Sequence, residues 1–190
     1  MTLKNSAAAL LAALALTGCA LSPQTVTLAP TLVVAPESIG KGHTVKVLAT
    51  DTRANAVIGT RSGVYAKTSE IRSDNDVAEA VRKQVIAGLA AQGYTDAGDA
   101  SETTIRLRLT ELAYRVPEGA IATSADITVA IEATAERAGS KQTGTYRSEV
   151  HQRFPVAPSP EQNEAWLNEA LNETLQRFFD DAAMRAFLAK

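Results

Sequence analysis

Few side chains in this sequence stand at spacings that chemistry uses. Ser38-Ile39-Gly40-Lys41 matches S-x-x-K, an acylating serine with its lysine, and Ser73-Asp74-Asn75 and Lys141-Gln142-Thr143-Gly144 follow downstream. That set needs its serine at the opening of a helix, whose N-terminal dipole helps to lower a pKa. Ser38 instead leads into a glycine-flanked turn, the third element carries an extra residue, and Ser73-Asp74-Asn75 reads as a helix cap. His43 and His151 are the two imidazoles, one before a strand and one on a strand's polar face. Nothing in the sequence joins either to a nucleophile or a second metal ligand, so both are expected to be solvated and to serve no chemistry. Asp74-Asn75-Asp76 lacks the glycine and distal glutamate of a calcium loop. Asn172-Glu173-Thr174 has the spacing of a glycosylation acceptor but falls inside a helical pattern. The expectation is no catalytic residue, no cofactor and no metal.

Cys19 is the one side chain whose surroundings specify a reaction. Lys4 precedes ten apolar residues, Ala7 to Leu16, and then Thr17-Gly18-Cys19. Ten apolar residues fall short of the ~20 that a helix needs to span a bilayer, so the segment reads as a signal peptide. Leu16-Thr17-Gly18-Cys19 resembles the bacterial lipobox, which implies that Cys19 receives a diacylglyceryl group and that residues 1–18 are cut away as a lipoprotein signal peptide. Two or three acyl chains, at ~0.8 kcal/mol per buried CH₂, hold a protein on a membrane essentially permanently. Ala20 follows; by the usual sorting rule a residue other than Asp there permits export to the outer membrane. Residues 19–24 form a short lipidated tether that reaches at most ~20 Å.

Composition narrows the remainder. The 190 residues are 45% apolar and 21% charged, with 19 Lys and Arg against 21 Asp and Glu and a formal charge of −2. That balance gives no basic face for nucleic acid. One cysteine excludes a disulfide framework or a thiolate metal cluster. The length suits one core, placed in residues 25–190.

The pattern predicts an α+β domain, a mostly antiparallel sheet with helices packed on one face. Val26, Leu28, Leu32 and Val34 suggest an early strand around Pro30; Val45, Val47 and Ala49 suggest another after the Gly40-Lys41-Gly42 turn. Residues 57–71 read as a hairpin turning at Arg61-Ser62-Gly63, its second arm Val64 to Ile71. Val77, Val81, Val85 and Leu89 recur every four residues, predicting a helix from about Asp74 to Gln92, stopped by Gly93, with Glu79 and Lys83 paired on its outer side. Ile105, Leu107 and Leu109 alternate with arginines, after which the apolar phase flips to Leu112, Tyr114 and Val116, predicting a bulge near Thr110-Glu111. The next strand turns Ile121, Ala125, Ile127, Val129, Ile131, Ala133 and Ala135 one way, and the last one Tyr146, Val150 and Phe154. Ser159-Pro160 with Gln162 is a capping box opening a helix with Leu167, Leu171, Leu175 and Phe178 on its buried stripe; a short helix near Asp181 to Leu188 closes the domain.

Binding residues are harder to single out. Asp51 and Arg53 share a strand face with Arg61 across the hairpin, either a surface ion-pair cluster or a patch facing a partner. Trp166 lies at the flank of its helix's apolar stripe, either packing the core edge or anchoring an interaction. Trp166, Asp51 and Arg53 are the candidate partner surface.

With its lipobox, Val45-Lys46-Val47 running into Asp51-Thr52-Arg53, the helix end Leu89-Ala90-Ala91-Gln92-Gly93-Tyr94 and the strand from Ala122 to Ile131, the chain resembles the YajG family of bacterial outer-membrane lipoproteins over nearly its whole length. The resemblance implies one α+β domain facing the periplasm and carries over one residue, Cys19. Members of that family have no established biochemical activity; with no catalytic set in the sequence, the expected role is a non-enzymatic accessory or interaction protein of the cell envelope, partnered by the membrane through its anchor and by an envelope protein. The layout also looks like that of lipopolysaccharide-assembly and lipid-transport accessory lipoproteins, which leaves a carrier of a lipid or cell-wall-derived ligand as the alternative. Replacing Cys19 by Ser is expected to abolish acylation, and intact-mass measurement of the membrane fraction checks it: an unmodified wild-type Cys19 there contradicts the expectation.

Overall fold

The computed structural model describes residues 22–61, 68–117 and 123–190; the signal peptide, Cys19, Ile121, and residues 62–67 of the hairpin lie outside these. Strand β6 (Thr103–Arg115) organises the domain. On one side it pairs antiparallel with β7 (Ser124–Arg137), which pairs antiparallel with β8 (Ser140–Arg153). Its other side is shared along its length. β2 (Thr44–Asp51) lies parallel to its first half, and β3 (Val57–Thr60) parallel to its second half at Tyr114. β4 (Glu70–Ser73) completes the hairpin with β3, β1 (Gln24–Val26) adds parallel to β4, and the short β5 (Thr95–Asp96) lies parallel to β2.

The sheet is therefore mixed, where the sequence suggested mostly antiparallel neighbours. Between β2 and β6 the chain runs through β3, β4 and the first helix, and a parallel pairing needs a crossover of that kind. The expected bulge is present: the β6/β7 register shifts between Leu109 and Glu111, and the odd residue, Thr110, donates through Oγ1 to the Ala130 carbonyl at 3.2 Å. The shift keeps Ile105, Leu107 and Leu109 on the same buried face as Leu112 and Tyr114. β3 meets β6 so closely that a Cβ on Gly59 would stand 1.9 Å from the Tyr114 carbonyl oxygen, which reserves that position for glycine.

Helices α1 (Val77–Ala91), α2 (Pro160–Asp180) and α3 (Ala182–Leu188) close the buried face, with Val81, Val85, Leu89, Leu167, Leu171, Leu175, Phe178 and Met184 against the strands. α1 starts later than expected. Asp76 is its cap, accepting from the Glu79 N–H at 3.0 Å, while Asp74 and Asn75 hydrogen-bond the N-terminal chain at Thr27 and Leu28. Gly93 ends α1 at φ 86°, as its spacing suggested. Lys83 is 3.8 Å from Glu79, and Arg82 is the nearer partner at 2.7 Å. The Ser159/Gln162 capping box forms with both of its hydrogen bonds, and Asp181 caps α3.

The early strand is the clearest departure. Only Gln24–Val26 joins the sheet, and residues 27–43 run as a strap to the start of β2. Its backbone is satisfied by side chains: the N–H groups of Thr27, Ala29 and Thr31 donate to Glu164, Asn168 and Asn172 at 2.7, 2.8 and 2.9 Å. The spacing is geometric, since two extended residues advance ~6.7 Å and four helical residues ~6.0 Å, so every second strap residue meets every fourth residue of α2. On the inner side Asn75 accepts from the Leu28 N–H at 2.9 Å and donates Nδ2 to the Leu28 carbonyl at 2.8 Å. Apolar alternation with Pro30 looks the same whether the polar backbone partners come from a strand or from helix side chains.

Removing Asn75 orphans two partly buried backbone groups, whereas removing Asn172 frees one exposed N–H. Asn75→Ala is expected to cost about 1–3 kcal/mol of stability and Asn172→Ala about 1 kcal/mol or less. Denaturant midpoints at unchanged slope check the ranking.

Candidate functional site

Among the described residues no helix covers the second face of β6, β7 and β8, and alternation along three long strands lines it with charge. Arg108 Nη1 lies 2.9 Å from Glu132, its directly paired neighbour on β7, and Arg106 3.7 Å from Glu136. Glu111, brought onto this face by the bulge, accepts from Arg115 at 2.7 Å and from Arg147, which also reaches Glu149 at 2.9 Å. The hydrogen bond from Arg115, backed by Arg147, holds the Glu111 carboxyl below its ordinary range. Thr128 and Ala130, though on this face, are buried at 4% and 7% exposure. Arg115 Nη1 lies 3.5 Å from the Thr128 hydroxyl, and Ala130 pairs with Arg147. Each exposed ion pair contributes only ~0–1 kcal/mol; together they match the charges of Arg106, Arg108, Arg115 and Arg147 on a face that holds an open groove of about 440 Å³ lined by Arg115, Asp126, Thr128, Arg147 and Glu149. His151, expected to be solvated, sits here with Nδ1 2.6 Å from Asp126, its cross-strand neighbour.

At the end of the sheet where β2 and β6 begin, a second polar group gathers. His43 Nδ1 lies 3.0 Å from Glu102, and Arg137 reaches the same carboxylate at 3.3 Å. His43 donates the largest of the hydrogen-bonding effects that hold Glu102 below its usual range. Tyr94 lies beside this group with its hydroxyl buried and without a hydrogen-bond partner among the described residues. Burial pushes its pKa up while Arg185 and Arg137 oppose the shift. A phenol held neutral in this way is no nucleophile at physiological pH. Among the described residues no group of three or more His, Cys, Asp or Glu could hold a metal. Both histidines thus have carboxylate partners, His151 across the β7/β8 ladder and His43 in the segments that lead into β2 and β6.

The residues singled out from sequence do not converge. Asp51 and Arg53 form a bidentate pair at 2.6 to 3.1 Å at the end of β2. The Arg53 side chain lies over Asp51 with 8% of its surface exposed, and its hydrogen bonds, set against partial burial, hold the Asp51 carboxyl low. Arg61 does not join them. It is buried beside Tyr114, where burial lowers its own pKa, and donates to the Ser22 carbonyl. Burial likewise pushes the Tyr114 phenol up to about 12. Trp166 stacks on Phe154 at 5.9 Å and 20°, a half-buried contact at the junction of β8 and α2. β6 and β7 separate it from the strand carrying Asp51. Cys19 falls outside the described residues.

The space between sheet and helices is occupied by side chains such as Leu167, Leu171 and Leu175, each at 1% exposure or less. An open groove of about 520 Å³ lies instead between the strap and α1, with Asn75, Asp76, Glu79 and Lys83 beside Leu28, Ala29 and Pro30. No described helix is long and apolar enough to cross a membrane.

An open mixed sheet with its helices on one face, behind a lipobox-like cysteine, defines a small lipoprotein domain. A family model described as an uncharacterized lipoprotein, the YajG family, matches residues 30–189, and the chain belongs to that family. Among solved structures, protein XCC0632 from Xanthomonas campestris shares the fold at a TM-score of 0.58, with 10% identity over 87% of this chain and 97% of that one. Rare lipoprotein B from Shewanella oneidensis superposes at 0.49, with 9% identity over 76% of this chain and 97% of that one. No curated protein matches.

The Glu102 carboxyl is expected to titrate below an ordinary glutamate, and removing the His43 imidazole to move its midpoint upward. Side-chain NMR titration of the wild type and of His43→Ala checks the sign, and an unchanged midpoint contradicts it.

Proposed function

We propose that this lipoprotein is acylated at Cys19 and held at the outer membrane with its domain in the periplasm. There it acts as a non-enzymatic accessory protein that binds another component of the cell envelope. The observation that carries this reading is the uncovered face of β6, β7 and β8, where Arg106, Arg108, Arg115 and Arg147 each meet a carboxylate. These pairs pre-organise the charges of the face. Matched charges favour partners with a complementary pattern and disfavour others, so they contribute specificity more than affinity. Family membership supports the lipoprotein part of the reading, and Ala20 after the cysteine supports the outer membrane. The filled space beneath the helices supports an interaction protein over a carrier enclosing its ligand.

Photo-crosslinking residues placed at Arg108 and Arg147 in intact cells are expected to capture an envelope protein, with Gln176 on the exposed side of α2 as the control. The same residues at Asp51, Arg53 and Trp166 determine whether those positions border the interface. Equal capture at Gln176, or none from the open face, overturns the assignment of the surface.

A further inference from the structure

The chain enters the fold at one pole. The Gln24 side chain donates to the Pro158 carbonyl at 3.1 Å and accepts from Asn163 Nδ2 at 2.6 Å, and the Ser22 carbonyl accepts from Arg61. β1 is parallel to β4, β4 antiparallel to β3, and β3 parallel to β6. The chain therefore enters at the end of the sheet where β6 ends at Arg115, β7 begins at Ser124 and β8 ends at Arg153.

Three features collect there. The segment leaving β8 exposes Pro155, Val156 and Ala157 between the buried Phe154 and Pro158, and Val156 is 75% exposed. Val33, the other large apolar side chain so exposed among the described residues, lies on the strap, away from this pole. Trp166 is stacked on Phe154 and half-buried, an aromatic with one side in the core and one toward solvent. Arg153 makes no hydrogen bond or ion pair among the described residues. By contrast, Arg106, Arg108, Arg115, Arg137 and Arg147 of the same three strands all meet carboxylates. Arg153 borders an open groove of about 500 Å³ with Thr123, Ser124, His151, Phe154 and Pro155.

We propose that this pole rests on the bilayer, with Val156 entering the headgroup boundary and Arg153 facing lipid phosphates. The occupant is the leaflet that holds the acylated Cys19, so the proposal deepens the lipoprotein reading and rests on it. From Cys19 to Gln24 the chain spans five residues, at most ~17 Å, and Gln24 is bonded to the segment that carries Val156. The tether therefore keeps this end of the domain against the membrane. An apolar loop tip, an interfacial tryptophan and an arginine with no carboxylate partner among the described residues are groups that the boundary accepts. Docking here sets orientation while the acyl chains supply anchorage, and it leaves the open sheet face turned sideways to the bilayer, accessible to a partner in the periplasm.

Trp166 is the only tryptophan and Cys19 the only cysteine, so the full chain reports on its own placement. The acylated protein is reconstituted in vesicles of phosphatidylethanolamine and phosphatidylglycerol, some carrying acyl chains brominated near the headgroup. Those lipids are expected to quench Trp166, and Val156→Asp to reduce the quenching about twofold without loss of vesicle association. Bimane attached at Val156→Cys is expected to shift to shorter wavelength on vesicles, and bimane at Ser140→Cys, at the opposite end of β8, to remain unshifted. Unquenched Trp166 with identical bimane spectra at both positions, in protein that stays on the vesicles, overturns the docking alone. Labelling of wild-type Cys19 by a thiol reagent shows a free thiol and overturns the anchor, and the docking with it.

Discussion

The domain depends on one slipped residue in its central strand. β6 serves β2 along its first half and β3 along its second, and the bulge at Thr110 falls where one neighbour gives way to the other. A side-chain period of two would otherwise turn Leu112 and Tyr114 to the open face while Ile105, Leu107 and Leu109 face the helices. With the bulge, all five pack beneath the helix layer, and Glu111 comes to the other side to meet Arg115 and Arg147. One backbone irregularity thus sets both the core and the charge pattern opposite it.

Helix α2 serves the fold in two ways at once. Its apolar stripe buries the sheet, and its polar flank supplies Glu164, Asn168 and Asn172 to the strap. Extended backbone crossing a helix layer has no strand to pair with, so its N–H groups need partners of another kind. Asparagine suits the task because its amide both accepts and donates, as Asn168 does between Ala29 and Thr27 and as Asn75 does at Leu28. The same contacts tie the entering chain to α1 and α2, so the first described residues and the helix layer are held together.

The two faces of the sheet divide the work. One is filled with Leu, Ile, Val and Phe between the sheet and α2, and on the other Arg106 and Arg108 meet carboxylates of the neighbouring strand. Buried hydroxyls complete the packed side: Ser148 donates to the Ala170 carbonyl at 2.7 Å and lies 2.6 Å from Thr174, and Tyr146 donates to Asp181 at 2.7 Å.

Local signals in the sequence determined a good deal. The capping box at Ser159, the stop at Gly93, the four-residue apolar repeat of α1 and the phase flip in β6 depend on neighbouring residues alone, and each reappears where its pattern placed it. Tertiary structure decided what depends on register and on distant partners. Arg106 and Arg108 are visible as an alternation, yet only the β6/β7 ladder shows that Glu136 and Glu132 answer them. The carboxylates beside His43 and His151 lie 59 and 25 residues away. The strap looked like a strand because an extended segment has one local appearance, and what satisfies its backbone is set by the helix that happens to lie beside it. Arg61 left Asp51 and Arg53 for Tyr114 because β3 meets β6 through a glycine, an approach that no spacing in the sequence records.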